Sequence, residues 1–307
     1  MTKPRRNLIS CSTRLLIRKA LREDIGRGDL TTKVLIPSSL AGKAYIKAKS
    51  EGILCGTAVV RQVFRAVDRK LWIAVKIPDG ARVTKGKQVI TVRGRAASIL
   101  KAERVALNFL GRLSGIATLT SEFVRRVRGT RAEIFDTRKT TPLWRALEKY
   151  AVRCGGGQNH RFGLWDEILV KDNHWIAMMP SLRGGPKGRR SNLAAQRLLR
   201  ALRALAMTGK KKIPVEIEVG NLRELTHLLK GNFVPDRILL DNFSSSKLRR
   251  AVRQVHNSGW KYQLEASGGI TLRNVRKVAR TGVDRISVGA LTHSASALDF
   301  SLSLRSR

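Results

Sequence analysis

A chain of 307 residues, 42% of them hydrophobic, can bury the core of one or two domains and is too apolar for a disordered tail. Its 61 Lys and Arg against 22 Asp and Glu leave a net charge of +39, far above the magnitude of about 2–8 usual for a small domain. No apolar run approaches the ~20 residues that cross a bilayer, and the N-terminus lacks the apolar stretch and cleavage site of a secretory signal. Lys3, Arg5, Arg6 and Arg14 precede the first acid, Glu23, and read as a frayed basic tail, with a transit peptide as the alternative. Three widely spaced cysteines, Cys11, Cys55 and Cys154, point to a reducing cytoplasm and away from a disulfide framework or zinc site.

The first half predicts helix and antiparallel strand. A helical stretch at 15–23 leads into the turn-rich 24–29, and short strands follow at 44–48, 72–75 and 88–92, with Asp79-Gly80 and Lys85-Gly86 as turns. Apolar residues at Ile99, Leu100, Ala106, Leu107 and Leu110 then mark a buried helix face over 96–113. Residues 1–115 are assigned to an N-terminal α+β domain, completed by the C-terminal segment 291–307.

From 116 to 290 strand and helix alternate. Strands are expected at 132–135, 167–170, 214–219, 237–240, 263–266 and 284–288, and helices at 193–206, 222–229, 246–255 and 272–281. Repeated strand–helix units imply parallel strands with right-handed crossovers, as a closed or nearly closed α/β barrel or an open doubly wound sheet. The Gly, Pro, Ser and Arg-rich stretch 178–192 reads as an exposed loop.

Polar residues gather where these strands end. Asp136-Thr137-Arg138-Lys139 follows the first strand, Asn159-His160-Arg161 precedes the second and Lys171-Asp172-Asn173-His174 follows it. The third carries Glu216 and Glu218, the fourth ends in Asp241-Asn242, the fifth in Ser267-Gly268-Gly269, and the sixth leads to Gly289. Parallel strands end on one side, so these positions converge on one mouth. Arg138, Lys139, His160, Arg161 and Lys171 suit an anionic ligand, and Glu218 and Asp241 suit a divalent metal or ribose hydroxyls. The Gly268-Gly269 turn before a helix can cradle a phosphate, although alone it reads as an ordinary tight turn.

Blander readings cover the remaining polar residues. Glu103 and Glu148 suit structural ion pairs, and His227 and His256 suit a helix surface. Cys154, before Gly155-Gly156-Gly157, has no evident general base and reads as a small packing residue. The cations are spread through almost every segment and aromatics make up only 5%, so the charge reads as a whole-surface property with nonspecific, salt-sensitive nucleic-acid binding as a by-product. Spacing alone therefore yields an anion-binding α/β enzyme.

The motifs carry more. ALREDIGRGDLTT (20–32), ERVALNFLGRLSGIAT (103–118), DTRKTTP (136–142), LEKYAVRCGGGQNHR (147–161), KDNH (171–174), VEIEV (215–219), LLDN (239–242), LEASGGIT (264–271) and ISVGALTHS (286–294) resemble, in order and over 15–302, the quinolinate phosphoribosyltransferase family. The resemblance implies an N-terminal open sandwich, an incomplete seven-stranded α/β barrel and a homodimer, or a higher oligomer, with shared active sites. It implies transfer of a phosphoribosyl group from phosphoribosyl pyrophosphate to quinolinate with decarboxylation, giving nicotinate mononucleotide for NAD synthesis, with Mg2+. By motif, Thr137, Arg138, His160, Arg161 and Lys171 match the quinolinate pocket, with Arg104 from the partner subunit. Lys139, Lys171, Glu218, Asp241, Ser267, Gly268, Gly269, Gly289 and His293 match the donor site. The resemblance makes Lys139, Glu218 and Asp241 the catalytic set, with Glu218 and Asp241 also serving the metal, directly or through the donor or water.

Three departures from the family pattern stand out: a long segment between Lys171 and Glu218, Gly220 where an acid is common, and a small extension at 232–236. A nicotinate phosphoribosyltransferase on the same barrel is the nearest rival reading, and it needs no pocket for a second carboxylate.

Overall fold

The computed structural model describes residues 8–174, 213–230 and 235–306, so the expected loop at 178–192 and helix at 193–206 lie outside the described residues, as does most of the 232–236 extension. Two compact units are formed. The first comprises the described residues of Met1–Val124, Lys139–Asn159 and Gly289–Arg307, and the second those of Arg125–Arg138 and His160–Val288.

In chain order the elements are α1 (Cys11–Ile25), α2 (Leu30–Leu35), β1 (Ala41–Ala48), β2 (Gly52–Ile53), α3 (Thr57–Val67), β3 (Trp72–Val75), β4 (Arg82–Val83), β5 (Gln88–Arg95) and α4 (Ala96–Val127). They continue with β6 (Glu133–Phe135), α5 (Arg145–Cys154), β7 (Ile168–Val170), β8 (Val215–Val219), α6 (Leu222–Lys230), β9 (Arg237–Asp241) and α7 (Ser245–Asn257). The last are β10 (Gln263–Ser267), α8 (Val275–Ala279), β11 (Arg285–Ser287), α9 (Ala290–His293) and β12 (Phe300–Ser306).

The first unit holds a four-stranded antiparallel sheet in the order β12-β1-β5-β3 and a separate β2-β4 pair. Alternation along β1 buries Gly42, Ala44, Ile46 and Ala48 on one face while the other stays wetter, the period-2 signature of a half-buried strand. Chain entry is fixed by capping: Ser10 accepts the amide of Thr13 at 3.2 Å and starts α1, and Asp29 accepts that of Thr32 at 2.9 Å and starts α2. Helix α4 runs 14 residues past the expected end at 113, because Leu113, Ile116 and Ala117 continue its buried stripe. It is also crossed tightly. A Cβ on Gly115 would lie 1.9 Å from the Ser296 carbonyl oxygen, and one on Gly111 2.8 Å from that of Leu298. Glycine at this i, i+4 pair is what lets a second backbone run along the helix.

The second unit is a parallel sheet in the order β6-β11-β10-β9-β8-β7, each described pair in parallel register. The α/β class is as expected, but six parallel strands are seen among the described residues where seven were expected. Central strands are apolar on both faces, as Ile238, Leu239 and Leu240 show, because a parallel sheet is covered on each side. Helix α7 buries Leu248, Ala251 and Val255, one stripe at helical spacing.

Candidate active site

Strands β6, β8, β9 and β10 deliver their last residues to one edge of the second unit, because parallel strands share a polarity. Asp136, Thr137 and Arg138 follow β6, and Lys171 follows β7. Glu218 is the penultimate residue of β8, Asp241 the last of β9 and Ser267 the last of β10, leading into Gly268 and Gly269.

The loop at 160–161 is pinned to this edge. Fully buried Asp136 accepts the His160 amide at 2.9 Å, and His160 Nδ1 accepts the Arg161 amide at 2.7 Å. One guanidinium N–H of Arg161 reaches the Glu167 carbonyl oxygen at 3.1 Å. Burial depresses the proton affinity of that guanidinium, and the positive charge of nearby Arg138 depresses it further. Two cationic forks so placed are stabilised by an anion between them. Lys171 Nζ pairs with Glu218 Oε2 at 3.0 Å, so acid and base already balance at the ends of β7 and β8.

At the next strand ends, Asn242 takes a left-handed conformation (φ 54°), donates its side-chain amide to Asp241 Oδ2 at 2.8 Å, and donates its backbone amide to the Ser267 carbonyl at 2.9 Å. Gly268 (φ +91°) packs against it so tightly that a Cβ would lie 2.0 Å from Asn242 Oδ1. Asn274 then closes the loop, accepting from the Thr271 amide and donating to the Gly269 carbonyl, each at 2.8 Å. The helix expected over 272–281 is confined to α8, because Thr271–Asn274 forms this turn first. The glycine pair therefore leads into a turn.

Beneath this edge lies a charged layer. His160 Nε2 faces Glu216 at 3.1 Å and Glu265 at 3.3 Å, Arg285 Nε meets Glu265 at 3.0 Å, and Ser287 donates to Glu265. Arg237 pairs with Glu167 and approaches Glu216 at 3.9 Å. Burial opposes charge on His160, yet the two carboxylates outweigh it and raise the ring's proton affinity. An acceptor role at Nδ1 leaves Nε2 as the site of the proton they hold. Burial likewise works against ionisation of Glu265, but His160, Arg285 and Ser287 overcome it and hold that carboxyl at about 2. Glu216 goes the other way: burial raises it, with the negative charge of Glu265 adding to the effect. Both His160 nitrogens are thus directed at protein groups.

Four further matched residues belong to the first unit. The Lys139 carbonyl accepts the Thr292 hydroxyl at 2.6 Å. A Cβ on Gly289 would meet Lys139 Cδ at 3.1 Å and His293 Nε2 at 3.2 Å, so these three converge. Arg104 lies exposed on α4. The blander readings of Glu148, His227 and His256 hold: Glu148 is buried and pairs with Arg112 at 3.0 Å, while both histidines are exposed.

Two family models match in tandem, the N-terminal domain of quinolinate phosphoribosyl transferase over residues 29–114 and its C-terminal domain over 116–303. The chain belongs to the quinolinate phosphoribosyltransferase family. It is 40% identical over 293 residues to the nicotinate-nucleotide pyrophosphorylase [carboxylating] of Mycobacterium leprae, covering 94% of this chain and 95% of that protein. It is 38% identical over 303 residues to the mitochondrial quinolinate phosphoribosyltransferase [decarboxylating] 2b of Nicotiana tabacum, covering 94% of this chain and 81% of that protein. Among solved structures, NadC from Streptococcus pyogenes matches with a TM-score of 0.83 at 36% identity, covering 95% of this chain and 96% of that one.

Sequence reasoning passed over Asp136, Glu216, Glu265 and Arg285 as functional support. One signal was present. In VEIEV the two acids are two apart and share a face, so Glu218 at the edge implied Glu216 one layer below it.

Proposed function

We propose that this protein transfers the phosphoribosyl group of phosphoribosyl pyrophosphate to the ring nitrogen of quinolinate and releases carbon dioxide, pyrophosphate and nicotinate mononucleotide, for NAD synthesis. The observation that carries the reading is the buried Arg161 guanidinium, fixed by Glu167 and held within electrostatic reach of Arg138 at the end of a parallel sheet. A ligand with two carboxylates answers two adjacent forks, and nicotinate, with one, leaves a fork unmatched.

Arg138, Arg161 and Lys171 bind the quinolinate carboxylates, with Thr137 beside them and Arg104 contributed across a homodimer. His160 sets the Arg161 loop. Ser267, Gly268, Gly269 and Gly289 receive the 5′-phosphate, and Lys139 and His293 face the donor. Glu218 and Asp241 hold the ribose hydroxyls and serve magnesium. They fit that ion: both are hard oxygen donors at the ends of paired strands, and two carboxylates suffice for a cation that keeps waters and phosphate oxygens as its other ligands. Magnesium, when bound, neutralises charge on the departing pyrophosphate.

The chain's own groups then work by position and charge. As the bond from ribose C1 to pyrophosphate breaks, positive charge develops on the ribose, and Glu218 and Asp241 lie where they favour it. The ring nitrogen bonds to C1 and becomes cationic. The electrons of the breaking carboxylate bond are drawn toward that nitrogen, carbon dioxide leaves, and a proton takes its place on the ring. Lys171, already paired with Glu218, exchanges that partner for a substrate carboxylate.

Formation of carbon dioxide and nicotinate mononucleotide from quinolinate, phosphoribosyl pyrophosphate and magnesium tests the reading. Arg138→Ala and Lys171→Ala should each abolish turnover in folded protein. Full activity in either variant, or turnover of nicotinate in place of quinolinate, refutes it. We assign the reaction to the cytoplasm, a reading supported by the free thiols of Cys11, Cys55 and Cys154. No helix among the described residues is long and apolar enough to cross a membrane.

A further inference from the structure

We propose that Cys55 and Cys154 are a thiol pair that a peroxide oxidises to an intramolecular disulfide, a modification site separate from the residues assigned to substrate. The reading of Cys154 as a packing residue misses its neighbours. Cys55 lies between β2 and α3, Cys154 is the last residue of α5, and the two occur 99 positions apart in sequence. The fold nevertheless brings their sulfur atoms and a carboxylate oxygen of Asp79 within 4.8 Å of one another, all inside the first unit. Both cysteines are free thiols.

The surroundings give the two sulfurs different tasks. Cys154 is partly exposed, whereas Cys55 is buried. Hydrogen bonding from Cys55 lowers the Cys154 thiol, outweighing its partial burial and the nearby negative charge of Asp79. Burial pushes Cys55 well up. A reachable thiol biased toward thiolate is the one that meets an oxidant, and a buried neutral thiol beside it is the resolving partner. Asp79 is already occupied: it accepts the amides of Gly56 and Thr57 at 3.0 Å each and the Tyr150 hydroxyl at 2.8 Å. Those bonds anchor the start of α3 and the face of α5, so both cysteines sit on backbone held by one carboxylate. They also commit that carboxylate's oxygens, which favours thiol chemistry over a metal at this cluster.

The chemistry balances. The Cys154 thiolate attacks one oxygen of hydrogen peroxide, the O–O bond breaks, and a sulfenic acid forms with water as the other product after proton uptake. The Cys55 sulfur then attacks the Cys154 sulfur, the S–O bond breaks, the S–S bond forms, and a second water leaves with the Cys55 proton. Two thiols and one peroxide yield one disulfide and two waters, each sulfur giving up one electron.

The test uses the full-length Cys11→Ser protein, which removes the exposed thiol. Peroxide treatment should lower the intact mass by about 2 Da, peptide mapping should return a Cys55–Cys154 cross-link, and a thiol reductant should restore the original mass. Cys154→Ser should abolish the change. Cys55→Ser should instead gain about 16 Da or more at Cys154, because the sulfenic acid then lacks its resolving thiol. Should a Cys55 variant fail to fold, the mapping on the Cys11→Ser protein still decides. Two alkylatable thiols remaining at Cys55 and Cys154 after treatment would overturn the proposal, as would an undiminished fall of about 2 Da in Cys154→Ser.

Discussion

Replacing Glu265 with Gln probes the charged layer under the strand ends. Glu265 is completely buried, pairs with Arg285 at 3.0 Å and His160 at 3.3 Å, and accepts from Ser287. Gln keeps the volume and one acceptor oxygen for Ser287 but removes the charge that Arg285 and His160 share. Buried Arg285 then loses the carboxylate it pairs with, so the change strands its guanidinium charge. Breaking a buried pair from one side costs about 3–5 kcal/mol, because the stranded partner loses hydration without recompense. With a urea dependence of roughly 2–3 kcal/mol/M for a chain of this size, the unfolding midpoint should fall by roughly 1–2.5 M. The double variant Glu265→Gln/Arg285→Met removes both charges and should recover at least half of the loss, a non-additivity that identifies the pair as the source. As a surface reference, Glu51→Gln breaks a pair with Arg82 in which both side chains are about two-thirds exposed, and should change stability by less than about 1 kcal/mol. A Glu265→Gln midpoint within experimental error of the parent refutes the reasoning, and so does a double variant as unstable as the sum of its parts.

Acid provides a second view of the same carboxyl. Its folded value, near 2, lies below the ordinary carboxylate value of 4.5, so its contribution is fully present above about 4.5 and lost as pH falls toward 2; Glu265→Gln should flatten the stability-against-pH curve in that window. Gly268→Ala places a methyl against Asn242 at a φ of +91°, and the loop must shift to accommodate it. The KM for phosphoribosyl pyrophosphate should rise at least about tenfold while that for quinolinate changes less, and equal rises would separate Gly268 from donor binding. Asp136→Ala leaves the His160 amide without this acceptor and should cost about 1–3 kcal/mol in thermal unfolding, together with a loss of quinolinate affinity from the slackened Arg161 loop. Unaffected quinolinate binding would break the link drawn between the two. Random-sequence duplex DNA should bind this +39 chain weakly and lose about a thousandfold or more between 50 and 200 mM salt, measured by fluorescence anisotropy; binding indifferent to salt would point to contacts other than phosphate pairing.

Residues whose role is local were legible in the sequence. Strand β9 is short, apolar and followed by Asp241-Asn242, and helix α7 carries its buried positions at 248, 251 and 255, so period and punctuation suffice for both. Arg138, Lys171, Glu218 and Ser267 were readable by their place at strand ends. What periodicity does not encode is which charges become buried partners. Glu265 and Arg285 are neighbours only because β10 and β11 pair in one parallel register, and Asp136 supports His160 across 24 positions. The turn at Thr271–Asn274 shortened the expected helix because Asn274 uses its side chain to close the glycine loop. Continuation of α4 past 113 was obscured by Gly115, which reads as a helix breaker but answers a close backbone crossing.

The pairing of β12 with β1 has a bearing on biogenesis. Phe300–Ser306 aligns against Ala48–Gly42, so the outer side of β1 must wait through more than 250 intervening positions before its partner emerges from the ribosome. Until then a row of main-chain donors and acceptors is bare on the nascent polypeptide, a template for self-association. A stop codon shortly before Phe300 would spare every residue assigned to substrate yet leave that template permanently uncovered, and inclusion-body formation is the phenotype expected of such a truncation.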